Sequence, residues 1–250
     1  MKTASRWIGL VVSSALAATA LIGAPAAAAA PEVELPPNCA GFWTLDGHTG
    51  DVTWAGSDAQ PLGGTLGAPG RSPGRTAMHF DGSDRQGLVS RTVWGGPSSL
   101  TVSAWVRLTD TTGWHTAVSQ NGFHGVVYRL AYNNTAKSWE FLLQHSGGGD
   151  LVARSTAVTP NTWTHLMAVY NMETRTLTLY VNGQATGSDQ NYYYPSGGGE
   201  YHSIGRDHRR DANYEWVPGP GNWTGELADI GVWGRALDAA EIRALSDPTT

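Results

Sequence analysis

The 250-residue sequence contains a single cysteine, Cys39, so a framework of disulfide bonds within the chain is excluded. Basic residues are also few, with 16 Lys and Arg against 21 Asp and Glu. Nucleic acids and anionic membranes attract basic patches, so neither is an expected partner. After residue 22 no apolar run approaches the roughly 20 residues that a membrane-spanning helix needs, so membrane insertion is not expected. The fold must therefore depend on its apolar core.

The first residues have the pattern of a secretory signal. Lys2 and Arg6 precede an apolar stretch over residues 7–22, and small residues at 27–30 follow it. We predict a signal peptide over residues 1–29, cleaved after Ala29, and a proline-rich disordered leader over residues 30–38. Without Lys2 and Arg6, 14 basic residues face 21 acidic ones, a formal charge of −7. The mature protein is expected to be secreted and extracellular.

The remaining sequence favours short β-strands. It has 32 Gly and 13 Pro and few helix-forming runs. Residues 100–108 and 176–181 alternate apolar and polar side chains, and residues 163–170 are apolar on both faces, as in a strand inside a sheet. Asn182-Gly183 is a strong signal for a hairpin with a type I′ turn. Residues 162–187 are therefore predicted to form a three-strand meander.

Beyond the meander, about twelve strands and one helix are predicted. The Gly/Pro-rich stretch 61–74 reads as a loop. Asp238 and Glu241 form a capping box that begins a short C-terminal helix, with Leu237 and Ile242 at the hydrophobic-staple positions. This pattern predicts an all-β fold, a two-sheet antiparallel jelly-roll sandwich with one short C-terminal helix, as a single domain over residues 39–247.

Several spaced motifs resemble one family. SLTVSAWVRL, TWTHLMAVYN followed by RTLTLYVNGQATG, and GELADIGVWGRALDAAEIRAL are similar to laminin-G-like (LamG) jelly-roll domains of the concanavalin A-like lectin/glucanase superfamily, in the form found in secreted bacterial proteins. GFWTLDG and MHFDGSD extend the resemblance upstream. The relatives include sugar-binding modules, adhesion domains, calcium-dependent lectins and glycan-cleaving enzymes, so the resemblance implies the fold and leaves the function open.

Catalysis is not expected. A glycosidase needs two carboxylates that face one substrate, and the glucanase relatives place them at alternate positions of one strand. Here Glu226 and Asp229 are three apart, which predicts opposite faces, and Glu140 and Glu173 have no acidic partner at even spacing. No catalytic residue is assigned. No pair among the eight histidines has the spacing of a zinc site. A hydrolase or lyase on this fold remains the alternative.

Calcium is the metal that the sequence favours. Asp81 and Asp84 stand in one tight turn, an oxygen-rich environment that calcium prefers. The resemblance implies a further ligand at Asp229, although many relatives have a second acid at the position of Ala228. A structural Ca2+ bound by Asp81, Asp84 and Asp229 is the hypothesis, and a solvated Asx turn is the alternative.

The aromatic residues favour carbohydrate binding. Ten of the eleven tryptophans follow the signal, and Trp43, Trp105, Trp163 and Trp233 lie on predicted strands and read as core. The others stand near loops, where recognition is usually built. We predict a monomeric, non-catalytic module for extracellular polysaccharide or glycoconjugate, with an extracellular protein as the alternative partner. The candidate ligand-binding residues are Trp114, His115, His124, Tyr128, Tyr193, Tyr214 and Trp216.

Overall fold

The computed structural model describes residues 34–83, 85–122, 125–145, 149–191, 194–210, 216–218 and 221–249, without the side chains of 208–210 and 216–218. The predicted signal peptide lies outside the described residues. The strands, in chain order, are β1 (Cys39–Trp43), β2 (Gln60–Gly63), β3 (Thr65–Pro69), β4 (Thr76–Asp81), β5 (Gly87–Arg91), β6 (Leu100–Leu108), β7 (His115–Gly122), β8 (Gly125–Asn133), β9 (Ser138–Leu143), β10 (Leu151–Arg154), β11 (Thr164–Asn171), β12 (Thr176–Val181), β13 (Gln184–Gln190), β14 (Tyr201–Ile204), β15 (His208–Arg210), β16 (Trp216–Pro218) and β17 (Thr224–Trp233). One helix, α1 (Ala239–Ser246), follows them.

The strands form two antiparallel sheets and a small ribbon. The eight-stranded sheet has the order β13-β12-β11-β6-β17-β4-β3, and β1 also pairs with β17. The seven-stranded sheet has the order β10-β9-β8-β7-β14-β5-β2, and β15 pairs with β16 alone. The predicted jelly-roll sandwich is confirmed. The predicted meander is present as β11-β12-β13, with β11 inside the sheet between β12 and β6.

The core fills the space between the two sheets. Alternate residues of β6, including Leu100, Val102 and Val106, point into it together with Trp43 and Trp139. Trp105 on β6 packs in a separate cluster on the other face of its sheet, as the alternation predicts. The outer face of the eight-stranded sheet therefore also needs a cover.

Helix α1 supplies part of that cover. Ile242 and Leu245 pack with Leu237 on Met167 and Trp233 of the eight-stranded sheet. The predicted capping box is confirmed, because the Asp238 carboxylate accepts hydrogen bonds from the backbone N–H groups of residues 240 and 241, while the side chain of Glu241 accepts one from the backbone of Asp238. Among the described residues no helix is long and apolar enough to span a membrane.

The Gly/Pro-rich stretch 61–74 was predicted as a loop, and this prediction is wrong for residues 61–63 and 65–69. Residues of this stretch belong to β2 and β3, which are edge strands that pair with β5 and β4. The side chains of both strands are mostly exposed or half-buried, so these strands need no apolar alternation in the sequence. The described part of the chain accordingly contains more strands than the twelve predicted.

A β-bulge in β17 corrects the predicted positions of two acids. The pairing of β17 with β6 shifts register between Ala228 and Gly231, and Asp229 has a φ of 49°. The extra residue breaks the alternation, so Leu227 and Ile230, three apart, both point into the core. Glu226 and Asp229 consequently lie on the same outer face, where they contact Arg107 and Arg71 respectively.

Candidate binding site

The segment between β14 and β17, called the excursion below, approaches the seven-stranded sheet in its described parts, residues 205–210, 216–218 and 221–223. Its strand β15 contacts β7 and β8. Three backbone hydrogen bonds fix its base: Gly205 N–H donates to Ala117, Thr116 N–H to Gly221 at 2.6 Å, and Trp223 N–H to Gly205. The two ends of the excursion therefore lie beside the first residues of β7.

Trp114 forms a neighbouring part of the same surface. It directly precedes β7 and is partly exposed. The guanidinium carbon of Arg129 lies 4.9 Å from the centre of its indole ring, which is a cation–π contact. Arg129 projects outward from β8 because its neighbours Tyr128 and Leu130 point into the core. The guanidinium thus packs on one face of the indole, and part of the indole remains exposed.

Two buried carboxylates hold Arg129 from the sides. The Nη1 atom of Arg129 lies 3.4 Å from Oδ2 of Asp207, and its Nη2 atom lies 3.9 Å from Oε1 of Glu140. Oε2 of Glu140 also accepts hydrogen bonds from Nε of Arg154 at 2.7 Å and Nδ2 of Asn133 at 2.8 Å. The side chains of Asp207 and Glu140 are only 1% and 4% exposed. These contacts restrict the guanidinium to one orientation.

The arrangement has the chemistry of a sugar-binding surface. The face of a sugar ring that carries C–H bonds can pack on an indole, and its hydroxyl groups can accept hydrogen bonds from a neighbouring guanidinium. The Arg129 side chain is 15% exposed, so part of its guanidinium is accessible to a ligand. Two arginines balance two carboxylates, so the local charge favours neither a strongly anionic nor a strongly cationic ligand.

Comparison with known families identifies the fold family. A laminin-G-like family model, described as concanavalin A-like lectin/glucanases superfamily, matches residues 81–243. The chain belongs to this superfamily. No curated protein matches the sequence of this laminin-G-like chain.

Solved structures agree on the fold. The binding domain of Paraclostridial Mosquitocidal Protein 1 is 14% identical with a TM-score of 0.63, covering 84% of this chain and 52% of that one. The ligand binding domain of botulinum neurotoxin serotype D, in complex with N-acetylneuraminic acid, is 12% identical with a TM-score of 0.64, covering 84% and 50%. A heptameric SAP-like pentraxin from Limulus polyphemus is 18% identical with a TM-score of 0.53, covering 68% and 80%. The laminin-G-like chain thus spans about half the length of these two toxin domains.

His115 and Tyr128 of the predicted ligand-binding set are buried. His115 is 5% exposed, and its Nδ1 atom lies 2.9 Å from the carbonyl oxygen of Asn222, so it fixes the base of the excursion. Tyr128 is fully buried between the sheets, where its hydroxyl group lies 2.9 Å from Nδ1 of His202. The expectation that these two side chains contact a ligand is corrected, because Tyr128 points into the core and His115 is buried against the carbonyl group of Asn222.

Of the other predicted ligand-binding residues, the structure describes Trp114 and the backbone of Trp216. Trp114 is next to His115 at the start of β7, and the backbone of Trp216 lies in the ribbon β15–β16. The side chain of Trp216 and all of His124, Tyr193 and Tyr214 lie outside the described residues.

The predicted calcium ligands are not brought together. Asp81 pairs with Thr224 at the start of β17, and Asp229 lies about 15 Å further along that strand at 3.3 Å per residue. The Asp229 carboxylate is already bound by Arg71 at 2.9 Å. Burial raises the pKa of this carboxyl, although Arg71 opposes the shift. Asp81 and Asp229 therefore do not fit one shared calcium ion, and Asp84 lies outside the described residues.

Few sequence signals point to the residues that surround Trp114. Arg129 and Glu140 stand at outward positions of β8 and β9, where alternation permits any polar residue. Glu140 has no acidic neighbour at even spacing on its own strand, and the second carboxylate, Asp207, comes from the excursion. Only the pairing of β7 with β14 brings Asp207 to this face.

Proposed function

We propose that this chain is a secreted, non-catalytic binding module that recognises extracellular polysaccharide or glycoconjugate through the surface formed by Trp114 and Arg129. The observation that carries the proposal is the partly exposed indole packed against a guanidinium that buried carboxylates hold in place. Binding to a rigid protein surface costs less entropy than binding to a surface whose side chains must first become ordered.

The solved structures named above support a binding role, since two of them are described as binding domains. Their ligands do not transfer to this chain at these identities. The network itself also supports a non-catalytic role, because Glu140 is held by Arg154 and Asn133 instead of facing a substrate. A general acid or base must reach the proton that it transfers.

Replacement of Trp114 by alanine tests the proposal. Loss of the stacking surface should weaken binding to the recognised polysaccharide about tenfold, which corresponds to about 1.4 kcal/mol. The measurement is a pull-down with insoluble polysaccharides, supported by a glycan array to find the ligand.

Trp54→Ala is the matched control for this variant. Trp54 is fully exposed, and the carbonyl oxygen of the next residue, Ala55, accepts a hydrogen bond from Arg91. Arg91 pairs with Tyr201 in the sheet, and Tyr201 pairs with Asn121 at the end of β7 that is far from Trp114. The control should bind like the unmodified protein. Absence of binding to every glycan would refute the proposal and favour an extracellular protein as the partner, and equal losses in both variants would refute the location.

A glycan-degrading activity is the second candidate, and one observation favours it. Asp207 and Glu140 contact the same guanidinium, so two carboxylates lie near each other, although both side chains are buried. Retaining and inverting glycosidases both need such a pair. Release of reducing sugar by the unmodified protein but not by Glu140→Gln would establish this candidate, and no release from the polysaccharide that it binds would exclude it.

A further inference from the structure

A cleft of about 300 Å³ lies on the opposite side of the molecule from Trp114. Leu35, Phe42 and Val52 supply its apolar lining, and the polar groups come from Thr44, Asp46, His48 and Arg75. Phe42 belongs to the cluster on the outer face of the eight-stranded sheet. All of these residues precede the segment 81–243 that the family model matches. The residues that line the cleft therefore lie outside the sequence segment that the family model matches.

The polar wall of the cleft is held in a fixed geometry. Leu45, between Thr44 and Asp46, has a φ of 58° and is fully buried. A bulky residue rarely adopts this conformation, and such outliers persist only where the surrounding structure enforces them. The carbonyl oxygen of Thr44 accepts a hydrogen bond from Asp229, and Oδ1 of Asp46 accepts two from Thr76, at 2.9 and 2.5 Å.

The carboxylate of Asp46 and the guanidinium of Arg75 do not form a direct hydrogen bond with each other. Oδ2 of Asp46 lies 3.6 Å from Nη1 of Arg75, which is longer than a hydrogen bond. Burial raises the pKa of the Asp46 carboxyl, but the hydrogen bonds from Thr76 and the charge of Arg75 outweigh it, so the pKa is lower than usual. A carboxylate acceptor and a guanidinium donor thus stand side by side at the cleft.

This combination matches a sugar with adjacent hydroxyl groups. One hydroxyl can donate to Asp46 and accept from Arg75, because each hydroxyl is both donor and acceptor. Val52 is 48% exposed and offers an apolar surface to the C–H bonds of the ring. Asp46 and Arg75 carry opposite charges, and His48 is the third ionisable residue of the lining. With a neutral imidazole the lining carries no net charge, which favours an uncharged ligand.

We propose that this cleft binds a single neutral sugar ring, as a second carbohydrate site separate from Trp114. The proposal goes beyond the function proposed above, because the two sites lie on opposite sheets and each can fail without the other. With both sites occupied, the module bridges two glycan segments and gains avidity without new contacts.

Titration with monosaccharides tests the second site. The probes are glucose, galactose, mannose and N-acetylglucosamine, with glucuronic acid and glucosamine as charged comparisons, followed by saturation-transfer NMR and calorimetry. At least one neutral probe should bind more tightly than both charged probes. Thr44→Val, which removes a hydroxyl, and Val52→Asp, which adds a charge, should each weaken its binding at least about fivefold. Trp114→Ala should bind the probe like the unmodified protein.

The outcomes separate the two proposals. No signal from any neutral monosaccharide overturns the second site, and so does tighter binding of a charged probe. Loss of binding in Trp114→Ala with retention in Val52→Asp places the sugar at Trp114 instead and overturns the second site alone. Val52 lies on an exposed loop, so Val52→Asp keeps the test valid if Thr44→Val fails to fold.

Discussion

The free energy of unfolding is expected to fall by about 4 kcal/mol between pH 7 and pH 5, because the fold buries two neutral histidines. His165 and His202 are fully buried, and burial lowers the pKa of each from 6.5 to about 3. In the unfolded chain both bind a proton near pH 6.5, whereas the folded chain excludes it. Each histidine contributes about 2 kcal/mol to the difference. Chemical denaturation at the two pH values measures it.

The groups that face these histidines define the expected pH window. Arg71 lies near His165 and also disfavours its protonation, and the Tyr128 hydroxyl is hydrogen-bonded to His202. The raised pKa of Asp229 acts in the opposite direction, because the folded state then takes up a proton first as the pH falls. The lowered pKa values of Asp46, Asp81 and Asp110 reduce stability only below about pH 5, near their unfolded values.

Variants identify the histidines as the cause. His165→Gln or His202→Gln removes one titrating group, so each single variant should show about half of the pH difference. The double variant should retain only a small part of it, because burial also lowers the pKa of His145. Met167→Ala is the control, because it destabilises the protein through a buried apolar side chain and changes no titratable group. It should retain the full difference. An unchanged difference in the double variant would rule out the histidines as its origin.

Removal of the Glu140 carboxylate should lower the free energy of unfolding by about 3 kcal/mol, because Glu140→Ala leaves Arg129 without one of its counter-charges in a buried position. Arg154, the other partner, is half exposed and regains water, so the loss is at the lower end of that for buried ion pairs. Urea denaturation measures this change.

Two further variants interpret the result. Glu173→Ala removes an exposed glutamate from a turn and should change stability by less than about 0.5 kcal/mol. Glu140→Gln retains the shape and part of the hydrogen bonding, so its loss should lie between those of the two alanine variants. A Glu140→Ala protein as stable as the Glu173 control would mean that the ion network does not stabilise the fold.

The ion network also makes a prediction about binding. Glu140 does not form the exposed surface, but it positions Arg129 beside Trp114. Glu140→Ala should therefore weaken polysaccharide binding under conditions where it remains folded, and Glu140→Gln should restore part of the loss. Binding that is indifferent to Glu140 would assign the contact to Trp114 alone.

Local signals predicted much of the scaffold. The alternation in β6 and β12, the hairpin at Asn182-Gly183 and the capping box at Asp238 are all present. Each depends on residues that are close in sequence, so its physical cause can be read from a few positions.

The surface at Trp114 and the cleft at Asp46 could not be predicted from residues that are close in sequence. Arg129, Glu140 and Asp207 meet because β8 and β9 are adjacent and the excursion returns over them. The faces of Glu226 and Asp229 depend on a bulge that one extra residue creates. The cleft at Asp46 needs Arg75, which comes from the segment before β4.

The sequence by itself determined the family, the alternating strands and the helix cap, because these follow from periodicity and from hydrogen bonds between near neighbours. Only the tertiary structure decided which polar side chains share a surface. Charged residues on the outward face of a strand carry no pattern of their own, and their partners are chosen by strand order and loop path. Strand order and loop path also decide which face of β8 is covered, so Tyr128 lies in the core, and they leave Trp114 partly exposed.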